Sequence, residues 1–169
     1  MNAILIGYRG SGKSSVADVI AACTNRTVYH MDEAIAQRAG CGARQLVAEQ
    51  GWDRFWALEA EVAQEAARLD NAVIDTGGGV IQRPENMLRL KATGPVFWLT
   101  AHVDTIKERI KDEADRPSLT GNRSFLEEVD EVLDARLPLY AHYADHLIET
   151  DHRSVSDIAN DIVQMLCSS

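Results

Sequence analysis

The sequence predicts an α/β fold in which a parallel sheet carries helices on both faces, making three layers. Three observations lead there. Short apolar runs recur at residues 3–6, 27–29, 72–74, 96–99 and 146–148. Helical patterns fill the intervals, and the first run passes directly into a glycine-rich loop and a helix. Strands buried on both faces read as continuous apolar runs, as Ala3-Ile4-Leu5-Ile6 does.

The first run opens onto Gly7-Tyr8-Arg9-Gly10-Ser11-Gly12-Lys13-Ser14-Ser15, a complete phosphate-binding loop. Its glycines let backbone N–H groups turn inward around the β- and γ-phosphates. Lys13 supplies a mobile positive charge, and the Ser14 hydroxyl is placed to ligate Mg²⁺. Val16, Val19, Ile20 and Cys23 follow at helical spacing. Asp32 begins a helix after the second run. The polar-apolar stretch from about 32 to 69, broken at Gly40, Gly42 and Gly51, reads as two or three helices. One crossover needs fewer, so this segment is expected to cover a substrate.

The third run ends in Asp75-Thr76-Gly77-Gly78-Gly79, where phosphate-loop proteins often carry an acidic residue near the metal. Three consecutive glycines expose backbone N–H groups to a small ligand, although a tight turn is the simpler use. Residues from about 112 to 123 are irregular, contain Arg116-Pro117 and Gly121, and read as a mobile lid. Ser124-x-x-Glu127 is a capping box for the next helix, and Val155, Ile158, Ala159, Ile162, Val163 and Leu166 give the last helix its buried stripe.

At 169 residues the chain is expected to be a single domain, 1–169, so any substrate site must be built on the nucleotide fold itself. Seventeen basic against twenty-six acidic residues give a net charge of −9, without a basic tail or aromatic-basic interleaving, which argues against nucleic acid as a partner. No apolar run is long enough for a membrane span and no signal-peptide pattern precedes the first strand, so a cytosolic location is expected. Cys23, Cys41 and Cys167 lack metal-type spacing and are assigned no chemistry.

In order along the chain, the phosphate loop, Asp32, Gly77-Gly78-Gly79, Arg116-Pro117 and Arg136-Leu137-Pro138-Leu139-Tyr140 resemble the shikimate kinase family nearly end to end. The resemblance implies a P-loop kinase fold with a five-stranded parallel sheet, a helical substrate-binding segment and a lid. It also implies MgATP as donor and the 3-hydroxyl of shikimate, a small hydroxy acid, as acceptor. On this resemblance Gly10, Ser11, Gly12, Lys13, Ser14 and Ser15 hold ATP, and Ser14 holds the Mg²⁺. Asp32 orients or deprotonates the attacking hydroxyl, the backbone at Gly78 and Gly79 contacts the substrate, and Arg136 clamps its carboxylate. Arg116 closes on the phosphates from the lid, and Arg153 lies near the adenine. Lys13, Asp32 and Arg116 are thus the implied catalytic residues. A small kinase of this kind is compatible with a monomer.

The chain departs from the family pattern twice. Where the family carries Asp-x-Asp after its second strand, this chain has His30-Met31-Asp32, one carboxylate fewer near the metal. Asp75 is a candidate replacement, with a surface-capping role as the alternative. In Gly51-Trp52-Asp53-Arg54-Phe55-Trp56-Ala57-Leu58-Glu59, Trp56 stands where the family has an arginine that clamps the substrate carboxylate. Arg54, about 200° away around a helix, faces elsewhere. Trp52 and Trp56 share a helix face, either as a packed aromatic pair or as the wall of a changed acceptor pocket. Two further readings therefore stand beside a shikimate kinase: a kinase of the same fold acting on gluconate or a related polyol, and a nucleotide-binding protein without kinase activity.

Overall fold

Five strands, β1 (Ala3–Ile6), β2 (Thr27–His30), β3 (Ala72–Asp75), β4 (Val96–Thr100) and β5 (His146–Glu149), form one parallel sheet in the order β2-β3-β1-β4-β5. The structure is a computed structural model and describes residues 1–112, 117–121, 124 and 126–168. All five apolar runs of the sequence are strands, most of them a residue longer than the run itself.

Among the described residues seven α-helices connect and cover the strands, α1 (Lys13–Cys23), α2 (Met31–Ala39), α3 (Ala43–Ala66), α4 (Pro84–Lys91), α5 (Val103–Ile110), α6 (Val129–Tyr143) and α7 (Val155–Cys167), with a short 3-10 helix at Val80–Gln82. Alternate residues of each strand face opposite sides of the sheet. Ile4, Ile6 and Ile74 pack with Leu46, Leu58 and Val62 of α3, Leu90 of α4 and Tyr140 of α6. Ala3, Leu5, Val73 and Phe97 pack on the other face with Val16 and Ile20 of α1 and Ile158 and Ile162 of α7. Both faces of the central strands are dry, which is why their sequences do not alternate with polar residues.

The segment between β2 and β3 is helical in three pieces. Gly40 ends α2 in a left-handed conformation, and Gly51 interrupts α3 with non-helical dihedrals. The kink redirects the second half of α3, which carries Trp52, Phe55, Trp56 and Glu59.

Two details differ from the sequence reading. Ser124 and Glu127 do exchange the bonds of a capping box, Glu127 Oε2 accepting from Ser124 N at 2.9 Å and Ser124 Oγ from Glu127 N at 3.3 Å. They close a turn ahead of α6, which begins at Val129. The adjoining Glu128 is drawn away to accept from Ser118 Oγ and from the N–H groups of Leu119 and Thr120. Val155, expected in the buried stripe of α7, is exposed as the first residue after the Ser154 cap; Ile158, Ala159, Ile162 and Leu166 form the stripe. Cys23 and Cys167 are exposed and Cys41 packs at the core margin. No helix among the described residues is long and apolar enough to cross a membrane.

Asn2, only 1% exposed, joins the start of β1 to the approach to β3. Its amide donates to Leu69 O at 2.7 Å and accepts from Ala72 N at 3.0 Å. Asn2→Ala strands two buried backbone groups and is expected to lower the unfolding free energy by about 2–4 kcal/mol in urea titration. A loss below about 1 kcal/mol would show that water replaces the amide.

Candidate active site

The phosphate loop joins the carboxyl end of β1 to the amino end of α1. Gly12, in the left-handed region, precedes α1 with no side-chain cap and no acidic residue in the first turn. The helix start thus presents uncapped N–H groups and a positive dipole end, the arrangement that binds an anion. Lys13 is 8% exposed and curls over the loop, its Nζ donating to Gly7 O at 3.0 Å and Tyr8 O at 3.2 Å. Ser11 is fully buried with its N–H on Tyr8 O, and Ser15 is exposed on the outer side of the helix start.

Beside the loop lies an acidic corner. β1 pairs with β3 so that Leu5 is opposite Asp75, and β2 pairs with β3 so that His30 is opposite Asp75. Asp75 Oδ2 accepts from Ser14 Oγ at 2.7 Å and lies 2.8 Å from His30 Nδ1. The other imidazole nitrogen, Nε2, is 3.1 Å from Asp18 Oδ1. Burial disfavours charge on His30, but its hydrogen bonds and Coulomb attraction to Asp75 and Asp18 outweigh that and raise its pKa. Asp75 Oδ1 is buried and has no hydrogen-bond partner. A serine hydroxyl with an uncommitted carboxylate oxygen beside it at a phosphate-binding helix start is an oxygen donor set that suits Mg²⁺. Asp75 is therefore at the loop, and the surface-capping alternative does not apply.

A cavity of about 380 Å³ opens next to this corner, lined among others by Asp32, Trp52, Trp56, Glu59, Gly78 and Arg136. The three glycines after β3 line it, and a side chain on either of the first two would crowd its neighbours. A Cβ on Gly77 would lie 2.7 Å from Asp32 Oδ1, and one on Gly78 would lie 3.3 Å from Arg9 N of the phosphate loop. The Gly78 carbonyl accepts from Arg136 Nη1 at 3.2 Å and from the Tyr140 hydroxyl at 2.7 Å, while Arg136 Nη2 donates to Gln82 Oε1 at 3.1 Å. Arg136 is 7% exposed, and its Nε has no partner. Two of its five N–H donors fix the guanidinium in place at the cavity lining.

Opposite stands an aromatic wall. Trp52 and Trp56 stack with centroids 5.9 Å apart, and Phe55 meets Trp52 edge-on at 5.5 Å. They are both a packed pair and the lining of the cavity. Arg54 is exposed and does not line it. Glu59, one turn beyond Trp56, is 2% exposed. Burial pushes its carboxyl up to about 7; Asp32 adds to the rise, and Arg136 and Arg83 oppose it.

The structure thus brings Lys13, Ser14, Asp32, Gly78, Gly79 and Arg136 to one side of the sheet, at the carboxyl ends of its strands. Arg153 follows β5, but its guanidinium turns to Asp161 of α7 at 2.6 Å. Arg116 lies outside the described residues. Three participants escaped the sequence reading. Arg109 of α5 ties Gly10 O at 3.0 Å to Thr150 Oγ1 at 3.1 Å, bracing the phosphate loop against the end of β5. Arg83 places its guanidinium 4.7 Å over the Trp56 ring. Asp18, one turn along α1 from Ser14, completes the histidine bridge. Only the i, i+4 relation of Asp18 to Ser14 was available in the sequence to signal any of them.

Comparison with known proteins agrees with this geometry. A family model described as shikimate kinase matches residues 9–167. A shikimate kinase of Nitratidesulfovibrio vulgaris is 38% identical over 98% of this chain and 95% of its own length, and shikimate kinase 2 of Photorhabdus laumondii is 36% identical over 99% and 98%. The solved shikimate kinase of Acinetobacter baumannii in complex with shikimate superposes with a TM-score of 0.92 at 29% identity, covering 99% of this chain and 93% of that one. A gluconokinase of Sinorhizobium meliloti shares the fold alone, at a TM-score of 0.63 and 16% identity over 99% and 91% of the two chains. With the match running from the phosphate loop into the last helix, and relatives aligned end to end at more than a third of positions, the chain belongs to the shikimate kinase family.

Proposed function

We propose that this protein transfers the γ-phosphoryl group of ATP to the 3-hydroxyl of shikimate. The observation that carries the reading is Arg136: a buried guanidinium with two nitrogens fixed and Nε unpartnered, in a cavity shared with Asp32. A guanidinium held in place at the cavity lining favours a carboxylate, and charge-assisted bonds of this kind are the strong ones.

The α1 N-terminus and the loop N–H groups hold the triphosphate, and Lys13 exchanges its loop carbonyls for phosphate oxygens. Asp32, close above Gly77, accepts from the acceptor hydroxyl and aims it at the phosphorus. Ser14 and Asp75 would hold Mg²⁺, which when bound would neutralise charge on the phosphate oxygens. Asp75 supplies the carboxylate that His30 does not, and His30 keeps Asp75 in place by bridging it to Asp18. Phosphoryl transfer needs positioning and charge neutralisation more than covalent chemistry, and these residues provide both.

The stacked Trp52–Trp56 wall favours a second reading, an acceptor with a larger apolar or ring face and the same carboxylate.

Lys13→Ala is expected to abolish ADP release from MgATP and shikimate while circular dichroism stays unchanged; sustained turnover would refute the nucleotide site. Trp56→Arg restores a cationic contact and should lower the shikimate KM roughly ten- to a hundredfold, corresponding to about 1.5–3 kcal/mol. An unchanged KM together with faster turnover of another hydroxy acid in the unaltered protein selects the second reading. Asp75→Asn should raise the Mg²⁺ concentration needed for half-maximal tightening of nucleotide binding, and an unaltered Mg²⁺ titration would remove Asp75 from the metal corner.

A further inference from the structure

Glu59 is the buried acid in the cavity that the proposed reaction leaves unused. It lies on α3 one turn past Trp56, is 2% exposed, and lines the cavity. The position one turn back, where a cation would offset it, holds an indole. A Cβ built on Gly77 has Asp32 Oδ1 at 2.7 Å and Glu59 Oε1 at 3.6 Å, so carboxylates from α2 and α3 converge on the same glycine.

Charged groups approach Glu59 from several elements. Asp32 faces it from α2 and Arg136 from α6, while Arg83, between β3 and α4, lies exposed on the Trp56 ring. Across the cavity, Arg9 is turned to Glu128 at 4.0 Å, and Glu131 of α6 adds another acid to the lining. With Glu59 ionised, an incoming carboxylate meets a buried negative charge beside the guanidinium of Arg136. Like charges in a cavity of low dielectric repel strongly, whereas a neutral carboxyl offers a hydrogen-bond donor.

We propose that Glu59 governs the affinity of the cavity for an anionic acceptor, which binds only when the Glu59 carboxyl carries a proton. The inference rests on the acceptor reading above and adds a residue to it. Ionised Glu59, one proton from solvent and the acceptor carboxylate go to protonated Glu59 with the acceptor anion bound; no other bond changes. Burial next to Asp32, which lifts the carboxyl to about 7, places this linkage within the neutral range. The sign follows directly. Below about 7 the proton is already present and affinity is full; above it each binding event must take up a proton, and affinity falls as pH rises.

Isothermal titration calorimetry of shikimate binding between pH 6 and 8, in buffers of different ionisation enthalpy, tests the proposal. The Kd is expected to weaken about tenfold from pH 6 to pH 8, with proton uptake approaching one per shikimate at pH 8. In Glu59→Gln both the pH step and the uptake should disappear. Trp56→Arg provides a second test that leaves Glu59 in place: a guanidinium one turn away holds Glu59 ionised and offsets its charge, so binding should take up no proton. A flat Kd in the unaltered protein overturns the inference and leaves the acceptor reading standing. Uptake that persists in Glu59→Gln also overturns it, assigning the proton to another group such as His30. Absence of shikimate binding at every pH overturns the acceptor reading and this inference with it.

Discussion

The parallel pairing of β1 with β3, with Leu5 opposite Asp75, decides where the chemistry can be assembled. It sets the start of the phosphate loop level with the start of the glycine floor. Pairing of β2 with β3 brings His30 and Asp32 up alongside. Strands lie about 4.8 Å apart, so loops from three neighbouring strands meet within about 10 Å. Thr76 fastens the junction, its N–H and hydroxyl both donating to Leu5 O at 3.2 and 2.8 Å. Side chains on the floor would push the loops apart, and the glycines answer that crowding. A slip of one residue in this register would turn Asp75 to the other face and leave Ser14 without its neighbour.

The two halves of the site are built on different electrostatic terms. On the nucleotide side, Lys13, the α1 N-terminus and Arg109 surround the place of an anion, and Asp75 balances them where a cation belongs. On the acceptor side the Arg136 guanidinium is held rigid by Gly78 O and Gln82, with two acids and an indole wall also lining the cavity. Fixing two nitrogens of Arg136 before a ligand arrives removes the ordering cost that a free side chain would incur at binding.

Much of this was legible in the chain itself, for physical reasons. The strands announced themselves because both their faces are dry, and the phosphate loop because glycines, lysine and serine each answer a separate part of one anion. The triple glycine and Arg136 were legible through spacing and family resemblance. Asp75 was a candidate for the metal corner with surface capping as the alternative, and its bond to Ser14 was not legible because it depends on strand register, which no local pattern encodes. Glu59 was hidden for another reason: its raised pKa follows from burial and from Asp32, distant in sequence, against the opposing pull of Arg136. Arg83 and Arg109 look like ordinary surface arginines until the fold brings Trp56 and Gly10 beneath them. The start of α6 was misplaced because Glu128 is claimed by groups at 118–120, a tertiary demand that overrides a local cap.

The chain contains three tryptophans, and their positions have an optical consequence. Trp52 and Trp56 form the cavity wall, and Trp98 of β4 stacks on the Tyr140 ring at 5.7 Å, behind the hydroxyl that holds Gly78 O. No indole lies on a surface remote from the site. The near-ultraviolet emission of the protein therefore comes from the acceptor cavity and its immediate support. A spectrum dominated by the stacked pair reports occupancy of the wall, and the Trp98 component reports strain passed through Tyr140 to the glycine floor. This enzyme carries an intrinsic fluorophore set that lets ligand arrival be followed in real time without a label.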